Sequence, residues 1–140
     1  MPQHASSSQA SSELQNNQFT VLVVEDEPAI RMIAADILRD AGYNVTETST
    51  ATEAMVVLSS QRIDLVFSDV LMPGSIGGLT LAGWIKANRP KVPVILCSGI
   101  SAVSRYLHGR EGITFLAKPF GTNDLLGLVA RLLADSGRDR

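Results

Sequence analysis

The sequence predicts an α/β fold built on a five-stranded parallel β-sheet with helices on both faces. Short runs with the length of single β-strands alternate with helix-like stretches, and this order favours a parallel sheet covered on both sides. Four of the runs end on polar residues: Glu25-Asp26, Asp69, Ser98 and Lys118. Because the carboxyl ends of parallel strands share one edge, where open α/β sheets bind ligands, these side chains are predicted to converge.

The first strand is predicted over Thr20–Glu25, and a helix follows over about residues 28–41. Pro28 suits an early helical position, where its missing N–H would have no partner in any case. Gly42 suits the left-handed stop after the helix. The predicted core stripe has helical spacing. It comprises Ile30, Ile33, Ala34, Ile37, Leu38 and Ala41.

The second strand is predicted over Asn44–Thr48 and the third over Leu65–Asp69. Between them, Thr50-Ala51-Thr52-Glu53 matches a capping box, which predicts a helix to about Ser60. A loop rich in proline and glycine follows the third strand. It precedes a helix predicted over about residues 79–88.

The fourth strand is predicted from Val94 to its polar end at Ser98, and the fifth over Thr114–Ala117. A short helix over about residues 102–108 is the best reading of the segment between them. Thr122 is predicted to cap a final helix that ends near residue 134.

The chain of 140 residues has room for one domain, predicted over residues 19–135, and for no second catalytic or DNA-binding module. Residues 1–18 are poor in large aliphatic side chains and are predicted to be a disordered tail, and residues 136–140 a polar end. The first residues lack the basic start and apolar run of a secretory signal. No stretch is apolar enough for a membrane span, so we expect a cytoplasmic protein without membrane contact.

The charge pattern argues against nucleic acid as a partner. The formal net charge is -2, and the lysines and arginines are scattered, whereas phosphate contacts need them clustered. The single cysteine, Cys97, excludes an internal disulfide and lies within an apolar run, which favours a buried thiol and a reducing compartment. His4 and His108 have no second ligand at metal spacing and are assigned no role.

The polar residues at the strand ends have the chemistry of phosphoryl transfer. Glu25, Asp26 and Asp69 would repel one another unless a cation lay between them, and Mg²⁺ prefers such oxygen ligands. Lys118 supplies a positive charge and Ser98 a hydroxyl, both suited to phosphoryl oxygens. Asp69, on a central strand between the acidic turn and the other two residues, is the predicted nucleophile.

Four motifs in register resemble the receiver domain of bacterial two-component response regulators over roughly residues 19–135. These motifs are Glu25-Asp26-Glu27-Pro28, Asp69-x-x-Met72-Pro73, Ser98-Gly99 and Lys118-Pro119-Phe120. The resemblance implies a doubly wound, flavodoxin-like sheet of order 2-1-3-4-5. It also implies that the protein catalyses only its own phosphorylation and dephosphorylation, and is not otherwise an enzyme.

The resemblance further implies a role for each residue. Asp69 would accept a phosphoryl group from a phosphohistidine of a histidine kinase or histidine phosphotransfer protein. Glu25 and Asp26 would hold Mg²⁺ together with Asp69 and the backbone carbonyl of Leu71. Ser98 and Lys118 would bind the phosphoryl oxygens. Ser98 and Phe115 would form the switch pair, in which the hydroxyl moves toward the phosphate and the ring turns inward.

The chain departs from the family pattern at three places. Glu25 stands where aspartate is also common, so its longer side chain changes how the metal is reached. Phe115 replaces a frequent tyrosine, so no phenolic hydroxyl is available to the switch. The loop over residues 73–78 is also one residue longer than the usual form.

Two surface hypotheses accompany this interpretation. Met32 and Ala35, which fall off the core stripe of the first helix, are candidates for the kinase-facing surface. Leu126 and Leu128 give the last helix an apolar outer face. With residues 102–108 and the fifth strand, this face is the hypothetical output surface toward an unknown downstream protein or a second copy of the chain.

A further hypothesis concerns the lifetime of the phosphoryl group. Leu71 and Ile100 lie two residues after Asp69 and Ser98, and in the family's arrangement they would flank the phosphoryl group. Neither side chain can orient an attacking water. We therefore expect slow autodephosphorylation.

Two other functions remain open. One is a receiver-like interaction module that binds its partner without being phosphorylated. The other is a Mg²⁺ phosphatase of the haloacid dehalogenase type, which also uses an aspartate nucleophile at a strand end. That group normally carries a second aspartate two residues after the first, where this chain has Leu71.

Overall fold

A computed structural model describes residues 16–72, 76–99 and 112–136. Over these ranges, five parallel strands form one sheet of order β2-β1-β3-β4-β5. The strands are β1 Thr20–Val24, β2 Asn44–Thr48, β3 Leu65–Asp69, β4 Val94–Ser98 and β5 Ile113–Ala117. The helices are α1 Pro28–Asp40, α2 Ala51–Ser60, α3 Gly78–Asn88 and α4 Thr122–Ser136. The predicted fold class is confirmed.

The sheet carries a hydrophobic core on each face, as a doubly wound fold requires. Leu22 and Val24 of β1 pack with α2 and α3 on one side, and Val21 and Val23 pack with α1 and α4 on the other. All four side chains are fully buried. Burial on both faces explains why the central strands read as continuous apolar runs instead of alternating ones.

The capping box before α2 is present, with its second contact moved by one residue. The Thr50 side chain accepts a hydrogen bond from the Glu53 N–H at 3.1 Å. The Glu53 carboxylate accepts from the Ser49 N–H at 2.8 Å, one residue before the cap. Thr122, predicted as the cap of the last helix, is instead its first helical residue, and the Asp124 carboxylate accepts from the Gly121 N–H at 3.0 Å.

The buried face of α1 differs from the predicted stripe. Ala35 is completely buried together with Ala34 and Leu38, whereas Ile33 is 57% exposed. The two adjacent alanines let the helix backbone lie close to the sheet, which moves the centre of burial toward Ala35 and turns Ile33 outward. Ala35 therefore cannot contribute to a partner surface, and that part of the prediction is wrong.

The last helix also lacks the predicted apolar outer face. Leu125, Val129 and Leu133 are buried as expected. Leu126 and Leu128, however, are partly buried against the core on the α1 and α4 side of the sheet. The output-surface hypothesis loses this support, and the segment 102–108 that completed it lies outside the described residues.

Two residues before the predicted boundary at residue 19 contact the domain. The Asn16 side chain donates to the Ala41 carbonyl at 2.6 Å, and the Asn44 side chain donates to the Asn17 carbonyl at 2.7 Å. The rest of the predicted N-terminal tail, residues 1–15, and residues 137–140 lie outside the described residues. Among the helices described, none combines the length and apolar character needed to span a membrane.

Candidate functional site

Three carboxylates and one ammonium group meet at the carboxyl ends of the strands. Glu25 and Asp26 directly follow β1, and Asp69 ends the neighbouring strand β3. One carboxylate oxygen from each lies within 4.8 Å of the others. The Lys118 Nζ, just beyond β5, is 3.4 Å from an Asp69 oxygen and 4.0 Å from a Glu25 oxygen.

The surroundings of the Glu25 carboxyl group disfavour its ionised form. The residue is only 4% exposed, and its Oε2 accepts a hydrogen bond from the Glu27 N–H at 3.2 Å. Burial raises the pKa of Glu25, and the negative charges of Asp69 and Asp26 raise it further, against the opposing effects of the Glu27 N–H and Lys118. The ionised form of this side chain is therefore less favourable here than in water.

Lys118 is the positive counterpart of these acids. Its backbone N–H donates to the Ser98 carbonyl at 3.0 Å, which joins the end of β5 to the end of β4. Burial alone would lower the pKa of the Lys118 ammonium, but the charges of Asp69 and Glu25 outweigh it and raise the pKa. Lys118 is therefore charged at neutral pH and directed at the Asp69 carboxylate.

Gly78, which the sequence analysis did not single out, packs directly on the backbone of Asp69. Its N–H donates to the Val70 carbonyl at 2.9 Å. A Cβ atom at Gly78 would lie 2.2 Å from the Asp69 carbonyl oxygen, far inside van der Waals contact. Only glycine permits this approach, which places the start of α3 against the strand that presents Asp69. The one sequence signal was the pair Gly77-Gly78 after the loop.

The other predicted site residues lie around this centre in different environments. Ser98, the last residue of β4, is 3% exposed. Phe115 is partly buried and packs on the α2 and α3 side of the sheet. Leu71 is 59% exposed. Ile100 and the loop residues 73–75 lie outside the described residues, so the predicted flanking role of Ile100 and the loop insertion remain predictions.

The donor set at this edge fits a hard divalent cation. Three carboxylates face one lysine, which leaves an excess of negative charge in a partly buried site. Mg²⁺ takes hard oxygen ligands such as carboxylates and usually keeps several of its waters. The chemistry and spacing of Glu25, Asp26 and Asp69 match this requirement.

An apolar groove borders the same edge. It has a volume of about 550 Å³ and runs between α1 and the start of α4. Lys118 lines this groove and also lies beside the carboxylates of Glu25 and Asp69. The groove is lined by Ile30, Ile33, Ile37, Lys118, Pro119, Phe120 and Thr122.

Comparison with known proteins identifies the family. The sequence profile of the response regulator receiver domain matches residues 21–130. The chain belongs to this family. It is 40% identical over 113 residues to the response regulator protein FleR of Pseudomonas aeruginosa, a match that covers 79% of this chain and 24% of FleR. The chain thus spans about a quarter of the length of that relative.

Solved structures agree with this assignment. The receiver domain of the hybrid histidine kinase CckA is 38% identical, with a TM-score of 0.68 over 81% of this chain and 98% of that one. The response regulator TrrA of Thermotoga maritima, crystallised in complex with Mg²⁺ and BeF, is 30% identical with a TM-score of 0.71. That match covers 82% of this chain and 99% of TrrA.

Proposed function

We propose that this receiver domain is a phosphoacceptor in which Asp69 takes a phosphoryl group from a phosphohistidine on a histidine kinase or phosphotransfer protein. The observation that carries the proposal is the approach of the Lys118 Nζ to within 3.4 Å of the Asp69 carboxylate, beside two further acids. A nucleophilic carboxylate and a phosphate-binding cation are thus adjacent at the ligand-binding edge of the sheet.

Glu25, Asp26 and Asp69, with the backbone carbonyl of Leu71, would hold a Mg²⁺ ion in this proposal. When bound, the ion would offset negative charge on the acids and on the phosphoryl oxygens. The complex of the related TrrA with Mg²⁺ and BeF supports a Mg²⁺ site in this chain by analogy. The raised pKa of Glu25 supports it independently, because that side chain lies among charges that a cation would neutralise.

The chain's own residues would divide the work of transfer. A carboxylate oxygen of Asp69 attacks phosphorus as the phosphorus–nitrogen bond of the phosphohistidine breaks, and the imidazole leaves with the bonding pair. Lys118 and the Ser98 hydroxyl stabilise the phosphoryl oxygens. Ser98 then moves toward the new acyl phosphate, and Phe115 turns inward to report the change. The protein modifies only itself and signals through protein contact.

The groove beside Lys118 is the proposed contact for the phosphohistidine-bearing partner. Ile33 of α1 lines this groove together with Lys118 and is 57% exposed, and the adjacent Met32 is 59% exposed. This replaces the predicted surface of Met32 and Ala35 by one centred on Ile33. Downstream, the proposal names an unknown protein or a second copy of the chain. The free, buried Cys97 is compatible with the cytoplasmic location that we propose.

A phosphodonor experiment tests the proposal. The protein is incubated with acetyl phosphate and Mg²⁺, and its intact mass is measured. We expect one added phosphoryl group in the wild type and in Asp36→Asn, an exposed acid on α1, but none in Asp69→Asn or with EDTA. An unmodified wild type would favour the phosphorylation-independent module. Sustained hydrolysis of an aryl phosphate, lost in Asp69→Asn, would favour the phosphatase.

The exposed Leu71 side chain supports a long-lived phosphoryl group, because it offers no hydrogen bond to an attacking water. We expect slow loss of the phosphoryl group in wild type and faster loss in Leu71→Asn, both followed by intact mass after the donor is removed. Rapid decay that is the same in both proteins would contradict this part of the proposal.

A further inference from the structure

Arg31 is tied to the backbone of the acidic site. It lies one turn into α1, and its guanidinium Nη1 donates a hydrogen bond to the Glu25 carbonyl at 2.8 Å. That carbonyl belongs to the peptide unit between Glu25 and Asp26. A bond to this oxygen therefore restricts the plane from which both acidic side chains project.

A second strand holds the guanidinium in place. The Arg31 Nε is 3.5 Å from an oxygen of Glu47 on β2, and the Arg31 side chain is 22% exposed. The same Glu47 carboxylate accepts a hydrogen bond from Arg39 at 2.8 Å. Arg31 thus connects α1, the end of β1 and β2, whereas the Arg39 side chain donates to the Glu47 carboxylate and the Val45 carbonyl, both on β2.

The acidic turn needs such support. Glu25 and Asp26 are adjacent in sequence, carry like charges and lie close to a third carboxylate. Glutamate also has one more rotatable bond than aspartate, so directing it at a fixed point costs more conformational entropy. Within this turn, the Glu25 carboxylate accepts one backbone hydrogen bond, from the Glu27 N–H at 3.2 Å.

We propose that Arg31 is a positioning residue that holds the Glu25-Asp26 peptide unit so that both carboxylates face the divalent-cation site. This inference rests on the proposed function, because it concerns the Mg²⁺ ligands named there. Groups that orient metal ligands without touching the metal contribute substantially to affinity. Arg31 also has an opposing effect, since its positive charge repels a nearby cation.

The two effects of Arg31 have opposite signs, so substitution separates them. If Arg31 acted only through its charge, Arg31→Gln would bind Mg²⁺ more tightly than wild type. If Arg31 positions the turn, Arg31→Gln will bind Mg²⁺ about tenfold more weakly. Arg39→Gln is the matched control, because it removes the other arginine of Glu47 without touching Glu25, and it should bind like wild type.

Mg²⁺ affinity is measured by isothermal titration calorimetry on the full chain, with urea unfolding of each variant to confirm the fold. Arg31→Lys, which keeps the charge and one donor, should bind with an affinity between those of wild type and Arg31→Gln. Affinity in Arg31→Gln equal to or tighter than wild type would overturn the inference. If that variant does not fold, Arg31→Lys decides, since binding equal to wild type would overturn it.

Failure of the inference is distinguishable from failure of the proposed function. If wild type binds Mg²⁺ and Arg31→Gln binds it with the same affinity, only the positioning role of Arg31 is refuted. If wild type binds no Mg²⁺, the proposed metal site and this inference are both refuted. A phosphoryl adduct that forms on Asp69 without any divalent cation would contradict the proposed role of the ion in transfer, and the Mg²⁺ affinities would still decide the role of Arg31.

Discussion

Two buried carboxylates at opposite edges of the sheet show how the same residue chemistry serves structure in one place and function in the other. Asp64, at the amino ends of the strands, is 2% exposed, and Glu25, at the carboxyl ends, is 4% exposed. The Asp64 carboxylate accepts a hydrogen bond from the Thr20 N–H at 2.7 Å and pairs with Arg62 at 3.3 Å. Its charge is matched by groups of the protein.

Glu25 has similar burial with a less complete set of partners. One N–H bonds to it, Lys118 lies 4.0 Å away, and two other acids are close enough to raise its pKa. A buried carboxylate whose charge is balanced by hydrogen bonds and an arginine suits a structural role. A buried carboxylate whose charge is only partly balanced is a candidate ligand for an external cation. This contrast supports a structural role for Asp64 at the amino edge of the sheet and the proposed cation-binding role for Glu25 at the carboxyl edge.

The largest effect is expected for Gly78→Ala at the carboxyl edge. The new Cβ would collide with the Asp69 carbonyl, so the backbone must move, and we expect a loss of about 3 kcal/mol together with impaired phosphorylation. Gly83→Ala is the control, because a Cβ there meets nothing within 4 Å, and it should gain about 0.5 to 1 kcal/mol within α3. Urea unfolding measures both, and equal stability of the two variants would contradict the contact.

Asp64→Ala should separate stability from function. It leaves the partly buried Thr20 N–H without its carboxylate acceptor, which costs about 2 kcal/mol. Phosphorylation by acetyl phosphate should be unchanged in the fraction that is folded. The exposed Asp36→Ala should stay within about 0.5 kcal/mol of wild type in urea unfolding. A loss of Mg²⁺ affinity in Asp64→Ala would erase the distinction between the two edges.

Glu25→Gln should have the opposite signature, with greater stability and weaker Mg²⁺ binding. A carboxyl group whose pKa is raised by folding destabilises the folded state when ionised. Without divalent cations, this penalty is fully present above the raised pKa. It decreases as the pH falls through that value and is gone below the ordinary 4.5, where the group is protonated in both states.

Unfolding of wild type and Glu25→Gln across this pH range, in EDTA, measures the effect. The stability gap between them should be widest at neutral pH and should close toward pH 4.5. Glu25→Gln should also bind Mg²⁺ at least about tenfold more weakly. A variant that is less stable than wild type at neutral pH would show that Glu25, like Asp64, is a structural acid.

Ile33→Glu should produce the smallest change in folding stability and should weaken only phosphotransfer from the partner protein. It places a charge in the exposed groove wall, so folding should be nearly unaffected, while phosphotransfer from a phosphohistidine protein falls about tenfold. Phosphorylation by acetyl phosphate should not change. Val56→Glu, at a site 63% exposed on α2 on the opposite face of the sheet, is the control. Equal losses in both variants would argue against the groove as the docking surface.

The sequence was sufficient for the fold and for the membership of the acidic cluster, since both follow from strand order and strand ends. Apolar runs buried on both faces imply parallel neighbours, and parallel neighbours bring Glu25 and Asp69 to one edge. Neither deduction needs the exact packing of a helix.

Packing detail was harder to predict, because it depends on contacts between distant parts of the chain. Periodicity could not tell that Ala35 would replace Ile33 in the core of α1, since both lie near the same stripe. The contact of Gly78 with the Asp69 carbonyl depends on where a loop returns in space. The bond from Arg31 to the Glu25 carbonyl joins a side chain to a backbone atom, which leaves no pattern in the sequence.

The central claim is that Asp69, alone among the acids of this edge, becomes phosphorylated. The most direct test is to treat the protein with acetyl phosphate and Mg²⁺, reduce any acyl phosphate with borohydride, and locate the product by tandem mass spectrometry. The account predicts that residue 69 is converted to homoserine, and that residues 25 and 26 are untouched. Reduction at Glu25 or Asp26 with residue 69 intact would contradict it.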